Sequence, residues 1–451
     1  MGIDISIDLL TLLMFGSLLV LLMAGLPLAF VTGGLACVFL FVLGDAQTLN
    51  IVPSRIFPMM TNYQLSAIPL FIFMASMLER AGLINEMFDV IYKLLGGIKG
   101  GLASATIIAS TILAAMVGVI GAAVVTMGII ALPAMLARSY DPKIAMGSIM
   151  AGGTLGILIP PSILAIIYAV VAEQSVGELF IGAVIPGLML SGLYILYVTV
   201  RSYINPRLGP PIPIGERVTA GEKLRLVGRM SAPIALIVVV LGVIFTGVAT
   251  PVEAAGIGTF GAFIVAAIHR KLDWQTIREA CITTLKASAM VIWIMFGATI
   301  FVGLYVLEGG QQFVQDNLAA TGLGPWGILI LMQVLLIVLG MFLDWVGILL
   351  LCVPIFVPII KAMGAQAFGL DDPGDLVLWF GVLYLVNMQM SFLSPPFGYA
   401  LFYLRGVAPA SIPMSAIFRS ALPFLAIQVI GLTLCMVFPE IITWLPNIVY
   451  G

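Results

Sequence analysis

Two pairs of adjacent prolines, Pro160-Pro161 and Pro395-Pro396, each stand inside an apolar stretch long enough to cross a bilayer. Proline has no N–H and its ring clashes with the carbonyl four residues back. Each pair therefore frees two successive carbonyls, those of Gly156 and Ile157 and those of Ser391 and Phe392. In hydrocarbon a free carbonyl is costly and persists only where protein, water or an ion satisfies it. Oxygen donors held this way suit ion binding. Asp344 is a carboxylate inside another apolar run, where it either favours a nearby cation at a hairpin tip or bonds backbone N–H groups at a helix start; one residue can do both. Asn387 and Gln389 read equally well as helix-to-helix hydrogen bonding or as cavity lining. Glu253, in Thr250-Pro251-Val252-Glu253, reads as part of a capping box.

The same runs lack what covalent or redox chemistry would need. They hold no His pair, no Ser-Lys or Asp-Asp pair and no cysteine cluster, so no enzyme is expected and an intramembrane enzyme or redox-pump subunit is the remote alternative. Cys37, Cys281, Cys352 and Cys435 are isolated from one another. His269, the single histidine, precedes Arg270 and Lys271 at a helix end, where a cation suits the helix dipole. No Lys or Arg lies in the middle of a crossing, so an anionic cargo would have to be met by helix N-termini, hydroxyls or bound sodium. Nothing points to nucleic acid.

The elements that position these residues are membrane helices. The 451 residues are 62% hydrophobic and 9% charged, against about one quarter charged for a soluble chain. Ten crossings are predicted, near 8–24, 27–43, 64–80, 145–172, 182–201, 231–249, 251–269, 285–306, 376–404 and 419–438. The first follows Asp4 and Asp8 instead of a basic region, so it reads as a retained helix and not a secretory signal. Two more runs, 103–137 and 326–362, are too long for one crossing and are interrupted by glycine, as re-entrant hairpins would be. With periplasmic termini and both hairpins re-entrant, 17 Lys and Arg fall in cytoplasmic segments and only Arg55 and Lys361 outside. Residues 84–95 have one apolar face and are expected to lie at the membrane interface, bracing a moving element.

The two hairpins are followed by similar events. Gly118 and Gly121, then Leu132-Pro133, then Ile159-Pro160-Pro161-Ser162 in one half correspond to Gly340, then Val353-Pro354, then Ser394-Pro395-Pro396-Phe397-Gly398 in the other. The charge-derived topology inserts the two hairpins from opposite faces. The halves thus form an inverted repeat, and paired broken helices in such repeats point to a midplane ion and substrate site.

At these residues the chain resembles the large membrane subunit of tripartite ATP-independent periplasmic (TRAP) transporters. The matching stretches are Gly153-Thr154-Leu155-Gly156-Ile157-Leu158-Ile159-Pro160-Pro161-Ser162, Thr250-Pro251-Val252-Glu253-Ala254-Ala255, Gly340-Met341-Phe342-Leu343-Asp344 and Ser394-Pro395-Pro396-Phe397-Gly398. The resemblance implies an elevator-type, sodium-driven transporter working with a small four-helix membrane subunit and a periplasmic substrate-binding protein in a bacterial inner membrane. Carried over by motif, it points to backbone carbonyls at Gly156, Ile159, Gly340, Ser391 and Ser394 for sodium; the candidate substrate contacts are Gly118, Gly121, Thr154, Ser162, Asp344, Asn387 and Gly398. Two departures stand out: the tip Val117-Gly118-Val119-Ile120-Gly121-Ala122-Ala123 is apolar where many relatives are serine-rich, and Ser391 replaces a usual glycine. An apolar tip favours a small keto or hydroxy monocarboxylate over a sugar acid.

The expected fold is an all-α membrane protein. Residues 1–100 would form scaffold helices and an interfacial arm, and 101–181 the first half of the transport domain. Residues 182–284 would return to the scaffold, 285–409 would form the second transport half, and 410–451 a last scaffold helix. A sodium-coupled dicarboxylate carrier working without partners is the alternative within transport.

Overall fold

A computed structural model describes residues 5–44, 47–118, 120–213, 218–396 and 398–450. Asp4 ahead of the first crossing, Val119 in the first hairpin tip, Arg217 in the loop 202–230 and Phe397 in the second break lie outside these residues. Among the described residues every regular element is helical. Near the N-terminus come α1 (Ile7–Met23), α2 (Leu28–Leu43), a short α3 (Ile51–Met60), α4 (Ala67–Arg80) and α5 (Leu83–Leu95). The first hairpin is α6 (Gly101–Val117) and α7 (Ile120–Ala137). The first broken helix is α8 (Pro142–Thr154) and α9 (Ile163–Ala172), followed by α10 (Val176–Ile204). Then come α11 (Ala220–Arg229), α12 (Ser231–Phe245), α13 (Pro251–Ile268), α14 (Trp274–Leu307) and α15 (Gly310–Ala320). The second hairpin is α16 (Pro325–Gly340) and α17 (Trp345–Met363), the second broken helix α18 (Pro373–Leu393) and α19 (Tyr399–Val407). Helices α20 (Met414–Val437) and α21 (Glu440–Tyr450) close the chain.

Each predicted crossing coincides with a helix or a broken pair. By length and apolarity alone, seven of the described helices could span a membrane, or nine if each of two bent pairs is one span. The seven include α7 and α17, which the hairpin reading turns back. Glycine and aspartate make the hairpin turns. Gly118 ends α6 at φ 58°, a left-handed conformation that glycine adopts without the steric penalty of a side chain, and its N–H reaches the carbonyl of Ala114. Asp344 caps α17, accepting from the N–H of Val346 at 3.2 Å.

The inverted repeat appears in the packing. Helix α7 of the first hairpin packs on α19 of the second break, and α17 of the second hairpin packs on α9 of the first. Likewise α6 packs on α8 as α16 does on α18, and α20 crosses α8 as α10 crosses α18. Helix α18 sits at the centre, buried from Leu376 to Leu393. Outside this body, α2, α3 and α4 pack on α14, and α12 and α4 pack on α13. The α2–α14 contact is close because both sides are small: a Cβ at Gly297 would lie 2.5 Å from the carbonyl oxygen of Ala29. Such approaches are how helices associate where lipid removes the hydrophobic drive. Leu12, Val20, Phe30, Val238, Phe260 and Met290 remain exposed, as lipid-facing side chains would.

The interfacial reading of 84–95 changes in one respect. Leu83, Ile84, Met87, Phe88 and Ile91 are buried within the protein, with α5 packed on α4 and α6, so its apolar face meets helices and not lipid. The capping box at Thr250 forms as expected: the Glu253 carboxylate accepts from the Thr250 N–H at 2.8 Å, and the Thr250 hydroxyl accepts from the Glu253 N–H at 3.3 Å.

Candidate functional site

Both hairpin tips and both helix breaks meet at one small cavity. Its wall is formed by Gly118, Ile120 and Gly121 from the first tip, Ile157 from the first break, Asp344 and Trp345 from the second tip, and Phe392, Tyr399 and Tyr403 from the second break. Three of these groups are helix starts, those of α7, α17 and α19, so three partly positive N-termini converge here. The cavity has a volume of about 40 Å³, well below the roughly 300–1,000 Å³ of small-ligand sites.

The tips are seated directly on the breaks. A Cβ at Gly118 would lie 2.8 Å from the carbonyl oxygen of Pro161. At the other end, a Cβ at Gly340 would lie 2.2 Å from the Ser391 hydroxyl oxygen, and a Cβ at Gly398 would lie 2.5 Å from the Phe392 carbonyl oxygen. Gly340 and Ser391 also line a narrower crevice with Leu343, Trp345, Ile348, Met388 and Phe392.

Not all four carbonyls freed by the proline pairs stay free. Ile157 accepts from the Ser162 hydroxyl at 2.5 Å, and Ser391 accepts from the N–H of Ser394 at 3.3 Å. For Gly156 the candidate donor at position 160 is proline, and the Ile159 N–H goes to Leu155. The N–H expected for Phe392 is missing at Pro396, and Gly398 donates to Ser394 instead. One carbonyl per break, Gly156 and Phe392, is thus left without a described partner.

The other expected residues, Thr154, Ile159, Ser162, Asn387 and Ser394, are not among those lining this cavity, and their side chains are committed elsewhere. Thr154 donates to Ala151 at 2.9 Å and accepts from Gln428 of α20 at 3.4 Å. Ser162 caps α9. Asn387 donates to the Gln333 side-chain oxygen at 2.7 Å, tying α18 to α16. Ser394 donates to Met390 at 2.7 Å, and the Ile159 side chain is pressed against Gly187 of α10. Gln389 is fully buried, and neither of its amide atoms has a hydrogen-bond partner among the described residues. Tyr399, Tyr403 and Trp345 were not singled out from the sequence, and Phe392 was singled out for its freed carbonyl alone. The two tyrosines had a readable signal, since a spacing of four directly after a break puts both on one helix face.

The set is rich in oxygen and poor in other donors: backbone carbonyls, one carboxylate and two phenols. Among the described residues no group of three His, Cys, Asp or Glu converges. Carbonyl and carboxylate oxygens suit hard cations, and helix starts suit a carboxylate.

Residues 15–441 match the family described as "Tripartite ATP-independent periplasmic transporter, DctM component". The chain is 31% identical to the C4-dicarboxylate TRAP transporter large permease protein DctM of Pseudomonas aeruginosa, over 92% of this chain and 93% of that protein. It is 30% identical to the sialic acid TRAP transporter large permease protein SiaM of Vibrio cholerae, over 92% and 94% respectively. Among solved structures it resembles the Alcanivorax borkumensis YdaH transporter, with a TM-score of 0.65 at 14% identity, covering 95% of this chain and 99% of that one. That likeness concerns the fold.

Proposed function

The chain belongs to the DctM-component family of tripartite ATP-independent periplasmic transporters, a permease family and not an enzyme family, and from that premise we propose that it carries a small organic carboxylate across the bacterial inner membrane by sodium symport. The convergence of three helix N-termini, Asp344, Ile157 and Phe392 on the two hairpin tips supports this reading best, together with the carbonyls of Gly156 and Phe392 that have no partner among the described residues. In it, backbone oxygens around Gly156, Gly340 and Phe392 hold sodium, and the bound ion with the helix starts of α7, α17 and α19 neutralises the carboxylate. Asp344 caps α17 and adds negative charge that favours the cation. The relatives include permeases named for C4-dicarboxylates, sialic acid and ectoine, which supports organic acids as the class. The apolar first tip favours a keto or hydroxy monocarboxylate.

The cargo arrives from a periplasmic binding protein, and a small membrane subunit completes the permease. Both termini face the periplasm. Transport follows an elevator path in which the hairpins and broken helices move against α2, α4, α13 and α14. Helices α10 and α20 travel with the moving body because they pack on α18 and α8, although the chain order alone assigns them to the scaffold.

Proteoliposomes containing both membrane subunits and the binding protein test the coupling. Uptake is expected with an inward sodium gradient and no ATP. Equal uptake in sodium-free buffer would remove sodium from the mechanism.

A further inference from the structure

Away from the hairpin tips, an open crevice of about 390 Å³ lies between α3, α9 and α14. It is lined by Ser54, Arg55, Pro58, Met59, Asn62, Val170 and Thr299. Arg55 is half-buried, and its guanidinium rests on the backbone of α14, where a Cβ at Gly303 would be 3.1 Å from Nε. Glycine at 303 is what gives the arginine this place. Arg55 has no ion pair and no hydrogen-bond partner among the described residues, while Arg80 is paired with Glu279 and Lys93 with Asp89. Glu173, just after α9, and Glu308, just after α14, form no bridge to it.

An unpaired guanidinium held at a fixed position offers a planar fork of donors matched to a carboxylate. Ser54, Asn62 and Thr299 line the same crevice, with the Ser54 hydroxyl donating to the Ile51 carbonyl and the Thr299 hydroxyl to the Met59 sulfur. The crevice volume is within the range of small-ligand sites, about 300–1,000 Å³. Two of its walls, α3 and α14, belong to the helices outside the central body, and the third, α9, is the second half of a broken helix. The crevice therefore joins the two bodies that the elevator reading sets in relative motion.

We infer that this crevice is a second anion subsite, in which Arg55 holds the carboxylate of the cargo before it reaches the hairpin tips. This rests on the reading that the cargo is an organic anion, but not on sodium coupling. Because Arg55 is on the stationary side and Val170 on the moving side, the subsite is complete only in the state seen here. Displacement of α9 removes one wall and releases the anion.

Arginine modification in the membrane-embedded permease tests the inference directly. Phenylglyoxal labelling is quantified residue by residue by mass spectrometry, in sodium chloride and in sodium pyruvate or succinate of equal ionic strength. Labelling of Arg55 is expected to slow several-fold in either carboxylate, with exposed Arg278 unchanged as the reference. Equal rates at Arg55 in chloride and carboxylate overturn the inference. So does slowing that occurs only when the binding protein is added, since the occupant is then an acidic side chain of that protein. In reconstituted uptake, Arg55→Gln is expected to raise the half-saturating cargo concentration several-fold with unchanged sodium dependence, and Arg55→Lys to recover part of it. An unchanged half-saturation in Arg55→Gln overturns the assignment. Uptake indifferent to sodium, with Arg55 still protected, would count against symport alone.

Discussion

Single atoms decide most at Gly118 and Gly398. Alanine at 118 puts a side chain into the left-handed region, costing about 1–2 kcal/mol, and drives a methyl group to 2.8 Å from the Pro161 carbonyl oxygen. The first tip then cannot seat on the first break, and initial uptake is expected to fall at least several-fold at normal membrane levels of the protein. Gly192, with nothing within 4 Å of its Cβ position, is the matched control and should tolerate alanine. At the second break, Gly398→Ala sets a methyl group against the Phe392 carbonyl oxygen and should raise the sodium concentration needed for half-maximal uptake. Ser391→Ala should change it little, because that hydroxyl makes only 3.4 Å contacts to the carbonyls of Leu336 and Asn387. A larger effect at Ser391 than at Gly398 would mean that side-chain oxygens hold the ion.

Hairpins and broken helices are legible in the sequence because the punctuation that makes them is local. Gly118 turns the first hairpin, Asp344 starts the second arm of the other, and the two Pro-Pro pairs stop α8 and α18 where N–H groups run out. For Asn387 the helix-to-helix reading holds, but the partners of the polar side chains were not legible, since they are far away in the chain. Thr154 meets Gln428 of α20, and Asn387 meets Gln333 of α16. Nor could the face of α5 be assigned, because an apolar stripe reads alike whether lipid or α6 covers it. The Asn387–Gln333 bond gives this scale its prediction. Hydrogen bonds between membrane helices contribute about 0.6 kcal/mol on average, so Asn387→Ala should lower unfolding stability only slightly. A loss of several kcal/mol in denaturant unfolding would show that the α16–α18 seam is held by more than this pair.

At the scale of the whole molecule, the proposed elevator sets the hairpins and broken helices moving against α2, α4, α13 and α14, and the contacts between these groups must then change. One such contact runs from α2 to α17, where a Cβ at Gly347 would meet the end of the Leu28 side chain at 2.2 Å. Joining Leu28→Cys to Gly347→Cys with a reducible linker is expected to stop uptake, and reduction to restore it. Full uptake with complete cross-linking would show that these helices need not separate. The central claim, that sodium is taken up at the meeting point of the hairpin tips and the helix breaks, is tested most directly at Tyr403, which lines the cavity and is 39% exposed. In a background without the four native cysteines, maleimide labelling of Tyr403→Cys is measured in sodium and in potassium chloride of equal strength. Labelling should be markedly slower in sodium, because ion binding draws the tips onto the breaks; the same rate in both salts would contradict a sodium site at this cavity.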